Sequence, residues 1–510
     1  MVVYTLITGK PQKISKVVNG IVYYYERTPY YDPALKNTKY HYKYIGKMVD
    51  GKISKVRSTL QKASYIYGPF IPLLKIVKDL KIDIILEKFL NKQETELVLS
   101  IAMAKVVRAL PIKNTALWLQ GTYLSKMFNI NPSASELSRL IDKIGSSSLY
   151  RDFSNELIKN LNPKESILYD ITSIPSYSKL PIFEYGHPKD HEELPQINLA
   201  MAMEKIRSIP LGFEIYPGSI PDMVTLERFA NNLGSLISSI LLVLDRGFFN
   251  YENLKSISRF DYIIAASLVR KEVKTIFAKT SSTVQKAKNV IIYGEQAMFC
   301  KEVKLRIEDL DLKGYFYYDP VREGEEKEEF HRKLSEKREQ IEKLEMRRGV
   351  MDRAKEIAGP YSKYLQLIVK DNKIITKPKD KAISAVEHRM GKFLLVYQGN
   401  YTGLECLMYY RERDNIEKAF EMLKNDLEIF PLRGKSLDTI RGTIFVLFLA
   451  LIMRLAMLKK MKESGLLKKY SLDMAMIELE KLHIIEKSDG SMEELERTKR
   501  QKMILEAFES

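Results

Sequence analysis

The stretch Tyr410-Arg411-Glu412-Arg413-Asp414-Asn415-Ile416-Glu417-Lys418-Ala419-Phe420-Glu421-Met422-Leu423-Lys424 reads as one amphipathic helix with an uncommon polar edge. Each helical residue advances by ~100°. With Tyr410 at zero, Arg413 therefore falls at about −60°, Glu417 at about −20° and Lys424 at about −40°. Ile416, Phe420, Leu423 and Leu427 gather on the neighbouring flank, the side a core would take. One carboxylate, two cations and a phenol on a single edge suit a metal ion and a phosphate chain. The plainer alternative is a solvent-facing helix laced with i,i+4 ion pairs such as Arg413 with Glu417.

Two upstream stretches bring further acids. Ile167-Leu168-Tyr169-Asp170-Ile171-Thr172-Ser173 reads as a short buried strand presenting Asp170 near its end. Ile240-Leu241-Leu242-Val243-Leu244-Asp245-Arg246-Gly247 is a β-prone run that delivers Asp245 where the chain must turn. For either aspartate alone, the cap of a following helix is the competing reading. Together with Glu417 they meet a chemical need. Phosphodiester chemistry uses two divalent ions ~3.5–4 Å apart, one at the attacking and one at the leaving oxygen. Hard cations of that kind take oxygen ligands, and Mg²⁺ keeps several waters beside a few carboxylates.

The helix edge spells Y-x2-R-x3-E-x6-K, which resembles the C-terminal signature of DDE transposases of the insertion-sequence-four superfamily. The order Asp170, Asp245, Glu417 resembles that family's triad. Tyr185-Gly186-His187-Pro188-Lys189-Asp190-His191, leading into Leu194-Pro195-Gln196-Ile197-Asn198-Leu199, is similar to its G-x-S-K-D-H…LPQ stretch, with Pro188 in place of the serine. Pro217-Gly218-Ser219-Ile220-Pro221-Asp222 and Asp245-Arg246-Gly247-Phe248 resemble two further family segments, and the similarity runs over roughly 160–455. The resemblance implies an α/β protein with a ribonuclease-H-like catalytic core, a β-rich insertion between the second aspartate and the glutamate, and an N-terminal region that binds terminal repeats. It implies that Asp170, Asp245 and Glu417 hold two Mg²⁺ or Mn²⁺ ions. Arg413 and Lys424 would grip phosphates flanking the scissile bond. Tyr410 would bond a phosphate or hold a displaced nucleotide. The implied reaction cuts DNA at the element's ends and joins the 3′ hydroxyl to target DNA. Its partners are double-stranded DNA, as inverted repeats and target, and a second copy of the chain in the end-pairing complex. The competing classes are a DNA-binding protein without catalysis, derived from a transposase, and a ribonuclease-H-like nuclease that does not join strands.

Composition agrees. The 510 residues allow two to four domains, with net charge +17 and a sequence pI of about 9.3. Such a surplus favours polyanions, since each neutralised phosphate releases counterions; solubility or a heat-adapted, lysine-rich composition is the other cause. Cys300 and Cys406 are the only cysteines, so nothing suggests a disulfide framework or a cysteine-based zinc site, and the pattern suits a reducing cytoplasm; the resemblance implies a prokaryotic, nucleoid-associated location there. His187 and His191 flank Pro188 and read as a loop pair rather than metal ligands. No Walker loop or G-x-G-x-x-G occurs. The apolar run Gly442 to Met453 falls short of the ~20 residues of a bilayer span and reads as a helix buried on all sides, so no membrane partner is expected. The start, MVVYTLITGKPQK, lacks the apolar core of a signal peptide.

The expected organisation is a small antiparallel β region over 1–60, a helical DNA-binding region over 61–158 and the first part of the core over 159–270. An insertion over 271–395, the second part of the core with the glutamate helix over 396–460 and a basic C-terminal tail over 461–510 follow. In the first region tyrosines interleave with lysines; they either stack on bases or cover one side of a thin sheet. A clear helix is expected over 222–233. A charge-dense helix over 325–348 carries Phe330, Leu334, Ile341 and Leu344, too short a seam for a coiled coil. Strand-like pieces stand at 290–293, 315–318 and 365–369.

Overall fold

The computed structural model describes residues 6–7, 10–18, 20–32, 37–49, 52–54, 61–163, 167–185, 194–205, 207–219, 241–427, 432 and 434–509. The expected helix over 222–233 and the stretch containing His187, Pro188 and His191 lie outside the described residues. The chain divides into two compact units. One comprises Met1–Gly68, Gly121–Tyr123 and Ile477–Lys502; the other comprises Pro69–Gln120, Leu124–Met476 and Met503–Ser510.

The larger unit is built on a mixed nine-stranded sheet. β1 (Ile167–Pro175), β2 (Gln196–Glu204) and β3 (Ile209–Pro217) form an antiparallel meander. β4 (Leu241–Leu244) then runs parallel to β1, and β5 (Asp261–Ala266) parallel to β4. β6 (Val290–Tyr293), β7 (Gln296–Ile307) and β8 (Leu310–Tyr318) continue as antiparallel ribbons, and β9 (Lys392–Gln398) closes the gap between β8 and β5. The spatial order is 6-7-8-9-5-4-1-2-3. All four residues of β4 are buried, as expected of a central parallel strand covered on both faces. The residues expected as an insertion after 270 therefore begin by extending the sheet. β7 escaped the sequence reading because charged residues alternate along it, Lys301, Glu302, Lys304 and Arg306 among them.

Helices cover the sheet. Lys92–Val107 (α1) is mostly buried, and Ala134–Ser146 (α2) starts at a capping box in which Ser133 and Glu136 satisfy each other's backbone. Leu149–Leu161 (α3) is tied to β3 by Arg151, whose guanidinium donates to both oxygens of Glu214 at 2.9 and 3.0 Å. Pro320–Glu342 (α4) begins a small body with its own core. Phe330, Leu334 and Ile341 of α4 pack with Val350, Ala354 and Ala358 of the helix Val350–Ala358. Leu365 and Ile374 of a hairpin, Leu365–Lys370 with Lys373–Pro378, complete it together with Ile383 and Met390. The short apolar seam read from the sequence is this intramolecular contact.

Two short helices, Gly403–Arg411 (α5) and Asp414–Glu421 (α6), precede the long Leu437–Glu463 (α7). The apolar run centred on Gly442 to Met453 extends to 27 residues, long and apolar enough to cross a membrane, yet 83% of its apolar window is buried inside the protein. Phe445 meets Phe153 edge-on at 5.5 Å and Phe448 lies 5.1 Å from Phe213, so α7 fills the space beneath α3 and β3. Its contact with α2 is close. A Cβ at Gly442 would lie 2.0 Å from the Ile141 carbonyl oxygen, and one at Gly145 1.7 Å from that of Asp438.

The smaller unit joins the N-terminal residues to Ile477–Lys502. Gln12–Val18, Ile21–Asp32, Asn37–Val49 and Lys52–Ser54 form antiparallel ribbons, with Leu6–Ile7 against the far end of Ile21–Asp32. A second sheet pairs Gln61–Ile66 with His483–Lys487, which in turn pairs Met492–Glu494. Buried Glu486 accepts from Lys62 Nζ at 2.5 Å and from the Tyr65 hydroxyl at 2.9 Å. The segment expected as a basic tail thus contains two strands and two α-helices, Leu472–Glu480 and Lys499–Glu509, and one of its strands pairs with a strand more than 400 residues upstream.

Candidate active site

Strand register brings the two aspartates together. β4 pairs with β1 through Leu242 with Ile167 and Val243 with Leu168. Two residues further along each strand stand Asp245 and Asp170. Side chains alternate along a strand, so both acids project from the same face of neighbouring strands, which lie roughly 4.8 Å apart. Asp170 does not end its strand, as the sequence suggested, but lies within it. It is the single residue of β1 that is not fully buried. No helix follows for it to cap. Asp245 precedes a short 3₁₀ turn, Arg246–Phe248, and its side chain makes no capping bond there. The cap reading therefore fails for both.

Glu417 comes from the helical segment that follows β9, and not on a single regular helix. The chain runs through α5, tightens at Glu412 and Arg413 into i→i+3 bonds, resumes as α6, and widens into a π turn at Met422–Asp426. The constant 100° step assumed from Tyr410 to Lys424 is therefore broken twice. Tyr410 ends up in α5, Arg413 at the junction, Glu417 in the first turn of α6 and half-buried Lys424 in the π turn. A first-turn carboxylate is favoured by the helix dipole, and single π turns inside helices are frequent at functional sites.

Arg413 is the hub of this arrangement. Its Nη1 lies 3.3 Å from Asp170 Oδ2, and its Nη2 lies 3.9 Å from Asp245 Oδ1 and 2.5 Å from Glu417 Oε1. The i,i+4 pair with Glu417 thus exists, but as one arm of a contact to three acids. Arg413 and Asp170 are 13% and 15% exposed, whereas Asp245 and Glu417 are 37% and 48% exposed, so the cluster opens to solvent on one side. Burial alone would lower the Arg413 pKa; Asp245, Tyr410, Asp170 and Glu417 outweigh it and hold the guanidinium above its ordinary value. Its Nε is buried without a hydrogen-bond partner. The Tyr410 hydroxyl donates to Asp245 Oδ1 at 3.5 Å. Burial pushes that phenol up to about 12; Arg413 opposes the shift and Asp245 adds to it.

The junction is anchored by residues that carried no sequence motif. Lys205, just past β2, places Nζ 3.1 Å from Glu412 Oε2 and 4.0 Å from the Tyr409 ring centroid. Glu412 Oε2 has no well-aligned hydrogen bond and depends on that charge. Arg411 donates to Asp319 Oδ2 at 2.9 Å, and Asp319 Oδ1 in turn caps α4 by accepting from Val321 and Arg322. Nothing in the local sequence marks Lys205, because its partner is two hundred residues away.

Three hard carboxylate oxygen donors suit a divalent ion chemically. In this arrangement their charge is met by Arg413. Among the described residues no group of three histidine, cysteine, aspartate or glutamate side chains is close enough together to enclose a metal. An ion entering between the acids would take over the role of the guanidinium.

Residues 162–453 match the model of the transposase DDE domain, more than half of the chain, and the protein belongs to that family. The matched span contains Asp170, Asp245, Tyr410, Arg413, Glu417 and Lys424. Among solved structures, the cryo-EM synaptic complex of piggyBac transposase with hairpin DNA has a TM-score of 0.38 and 11% identity, covering 81% of this chain and 80% of that one. That likeness is too distant to carry detail from one to the other. No curated protein matches the chain.

Proposed function

We propose that this protein is a metal-dependent DNA transposase of the insertion-sequence-four type, which cuts at the ends of its element and joins the 3′ ends to target DNA. The observation that carries this reading is the single guanidinium of Arg413, within 4 Å of carboxylates from two strands and a helix. On this reading β1 to β5 form a ribonuclease-H-like core, which β6 to β9 extend.

Asp170, Asp245 and Glu417 would hold Mg²⁺ or Mn²⁺, two ions in the working complex, which supply Lewis acidity to the oxygens of the scissile phosphodiester. Arg413 balances the three acids, and with its planar fork suits a phosphate whenever an ion takes its place among them. Tyr410 stays protonated through the physiological range and fixes Asp245 by donating to it. Lys424, from the π turn, acts as a point charge toward DNA phosphate. Two copies of the chain would pair the two ends.

The test uses duplexes carrying the DNA that flanks the gene, with Mg²⁺. Glu417→Gln and Asp245→Asn should abolish nicking at the repeat ends while gel-shift binding to the same duplexes persists. Joining of a pre-cleaved 3′ end to plasmid distinguishes a transposase from a nuclease. Wild-type cleavage by Glu417→Gln would end the proposal.

A further inference from the structure

The N-terminal sheet presents an aromatic and cationic face that the strand-cleavage chemistry does not use. Its ladder sets Tyr25 opposite Tyr44, Arg27 opposite Tyr42, Pro29 opposite Tyr40, and Ile14 and Gln12 opposite Tyr25 and Arg27 on the other side. Paired residues project to the same side, so Tyr25, Arg27, Tyr40, Tyr42 and Tyr44 share one face with Lys16. The contacts agree. Tyr25 and Tyr44 are 5.4 Å apart and Tyr40 and Tyr42 6.3 Å apart between ring centroids. Lys16 Nζ lies 4.6 Å from the centre of Tyr42, and the Arg27 guanidinium 4.6 Å from that of Tyr40. Gln12 steadies Arg27 by accepting from it at 3.0 and 3.2 Å.

These rings are not a core. Tyr40, Tyr42 and Tyr44 are 39%, 50% and 38% exposed, and Gln12–Val18 and most of Asn37–Val49 lie open to solvent. A thin sheet ordinarily buries one side; this one turns tyrosines outward with cations set over them. The first 60 residues carry eleven lysines and arginines against three acids. That charge calls for a polyanion, and the exposed parts of the rings that no cation covers call for flat π partners. The 6.3 Å between Tyr40 and Tyr42 is nearly twice the roughly 3.4 Å separating stacked bases along one strand. Successive rings therefore match bases that are splayed apart. Duplex DNA keeps its bases stacked inside and offers the rings nothing.

We propose that this face binds single-stranded nucleic acid, with bases stacked on Tyr40, Tyr42 and Tyr44 and phosphates drawn to Lys16 and Arg27. The site is independent of the proposed strand cleavage and stands or falls without it.

The experiment measures fluorescence anisotropy of the full chain with labelled oligo(dT) of roughly sixteen nucleotides, and with a duplex of equal length. Each tyrosine-to-alanine change should weaken oligo(dT) binding about tenfold. Tyr40→Phe/Tyr42→Phe/Tyr44→Phe should bind as wild type, and duplex binding should not respond to either set. Lys16→Glu/Arg27→Glu should weaken oligo(dT) binding and flatten its salt dependence. Photocrosslinking of wild-type protein to iododeoxyuridine-substituted oligo(dT) provides a readout that no folding defect can mimic. Adducts should map to residues 40–44. Adducts mapping elsewhere, or unchanged oligo(dT) affinity in the folded triple alanine variant, would overturn the proposal.

Discussion

Replacing Arg413 by methionine removes the cation that bridges the three acids and keeps most of the side-chain volume. The largest loss is the pair with Asp170, 3.3 Å apart with both partners mostly buried. Its gross Coulomb attraction is about 5 kcal/mol at an effective dielectric of 20, much of it offset by desolvation. Removing one partner of such a pair typically costs about 3–5 kcal/mol, because the other charge is left buried. Asp245 and Glu417 are more exposed, so solvent screens them and each adds less than about 1 kcal/mol. The expected loss is therefore roughly 3–5 kcal/mol, read from urea unfolding at neutral pH in EDTA. With MnCl₂ present most of that loss should vanish, since the ion supplies the missing charge. Mn²⁺ binding followed by electron paramagnetic resonance should also be tighter in Arg413→Met than in wild type, because the guanidinium no longer competes. A variant as stable as wild type in EDTA, or one whose deficit ignores Mn²⁺, would refute the reasoning.

Other outcomes follow from single contacts. Gly442→Ala pushes a methyl group against the Ile141 carbonyl and should cost at least about 3 kcal/mol, the upper end for overpacking, measured by urea or thermal unfolding. Lys205→Ala strips Glu412 of its charge partner. It should slow strand cleavage while leaving oligo(dT) binding intact, as separate assays of the two activities would reveal. Tyr410 makes an alkaline prediction. Its folded pKa of about 12 lies above the roughly 10 of an unfolded tyrosine, so its contribution is full below pH 10 and is lost as pH rises toward 12. Unfolding curves across that window should fall more steeply for wild type than for Tyr410→Phe.

The parts of this fold legible in sequence are those specified by local pattern. β4 is an unbroken apolar run ending in Asp245, and α7 an apolar stretch too strongly hydrophobic to lie on a surface. Asp170 and Asp245 stand out in the sequence as acids in apolar strand-like runs and Glu417 through the spacing of its helix edge, yet the nearness of the two aspartates depends on parallel register between β1 and β4, which no local pattern encodes. The helix of the signature was misread as continuous because propensity does not register the tightening at Glu412 and Arg413 or the π turn at Lys424. Those distortions are set by tertiary contacts such as Lys205 with Glu412 and Arg411 with Asp319. β7 was hidden by its charges, and the pairing of Gln61–Ile66 with His483–Lys487 by sequence distance. Arg413 was read as a phosphate ligand from its position on the helix edge; only the folded chain reveals it among all three carboxylates.

The most direct test of the shared acidic centre replaces Mg²⁺ with Fe²⁺ and generates hydroxyl radicals at the bound ion, with backbone cuts mapped by mass spectrometry. Cuts should cluster beside residues 170, 245 and 417 and disappear in Asp245→Asn. Cuts confined to other parts of the chain, in protein that still cleaves DNA with Mg²⁺, would contradict the account.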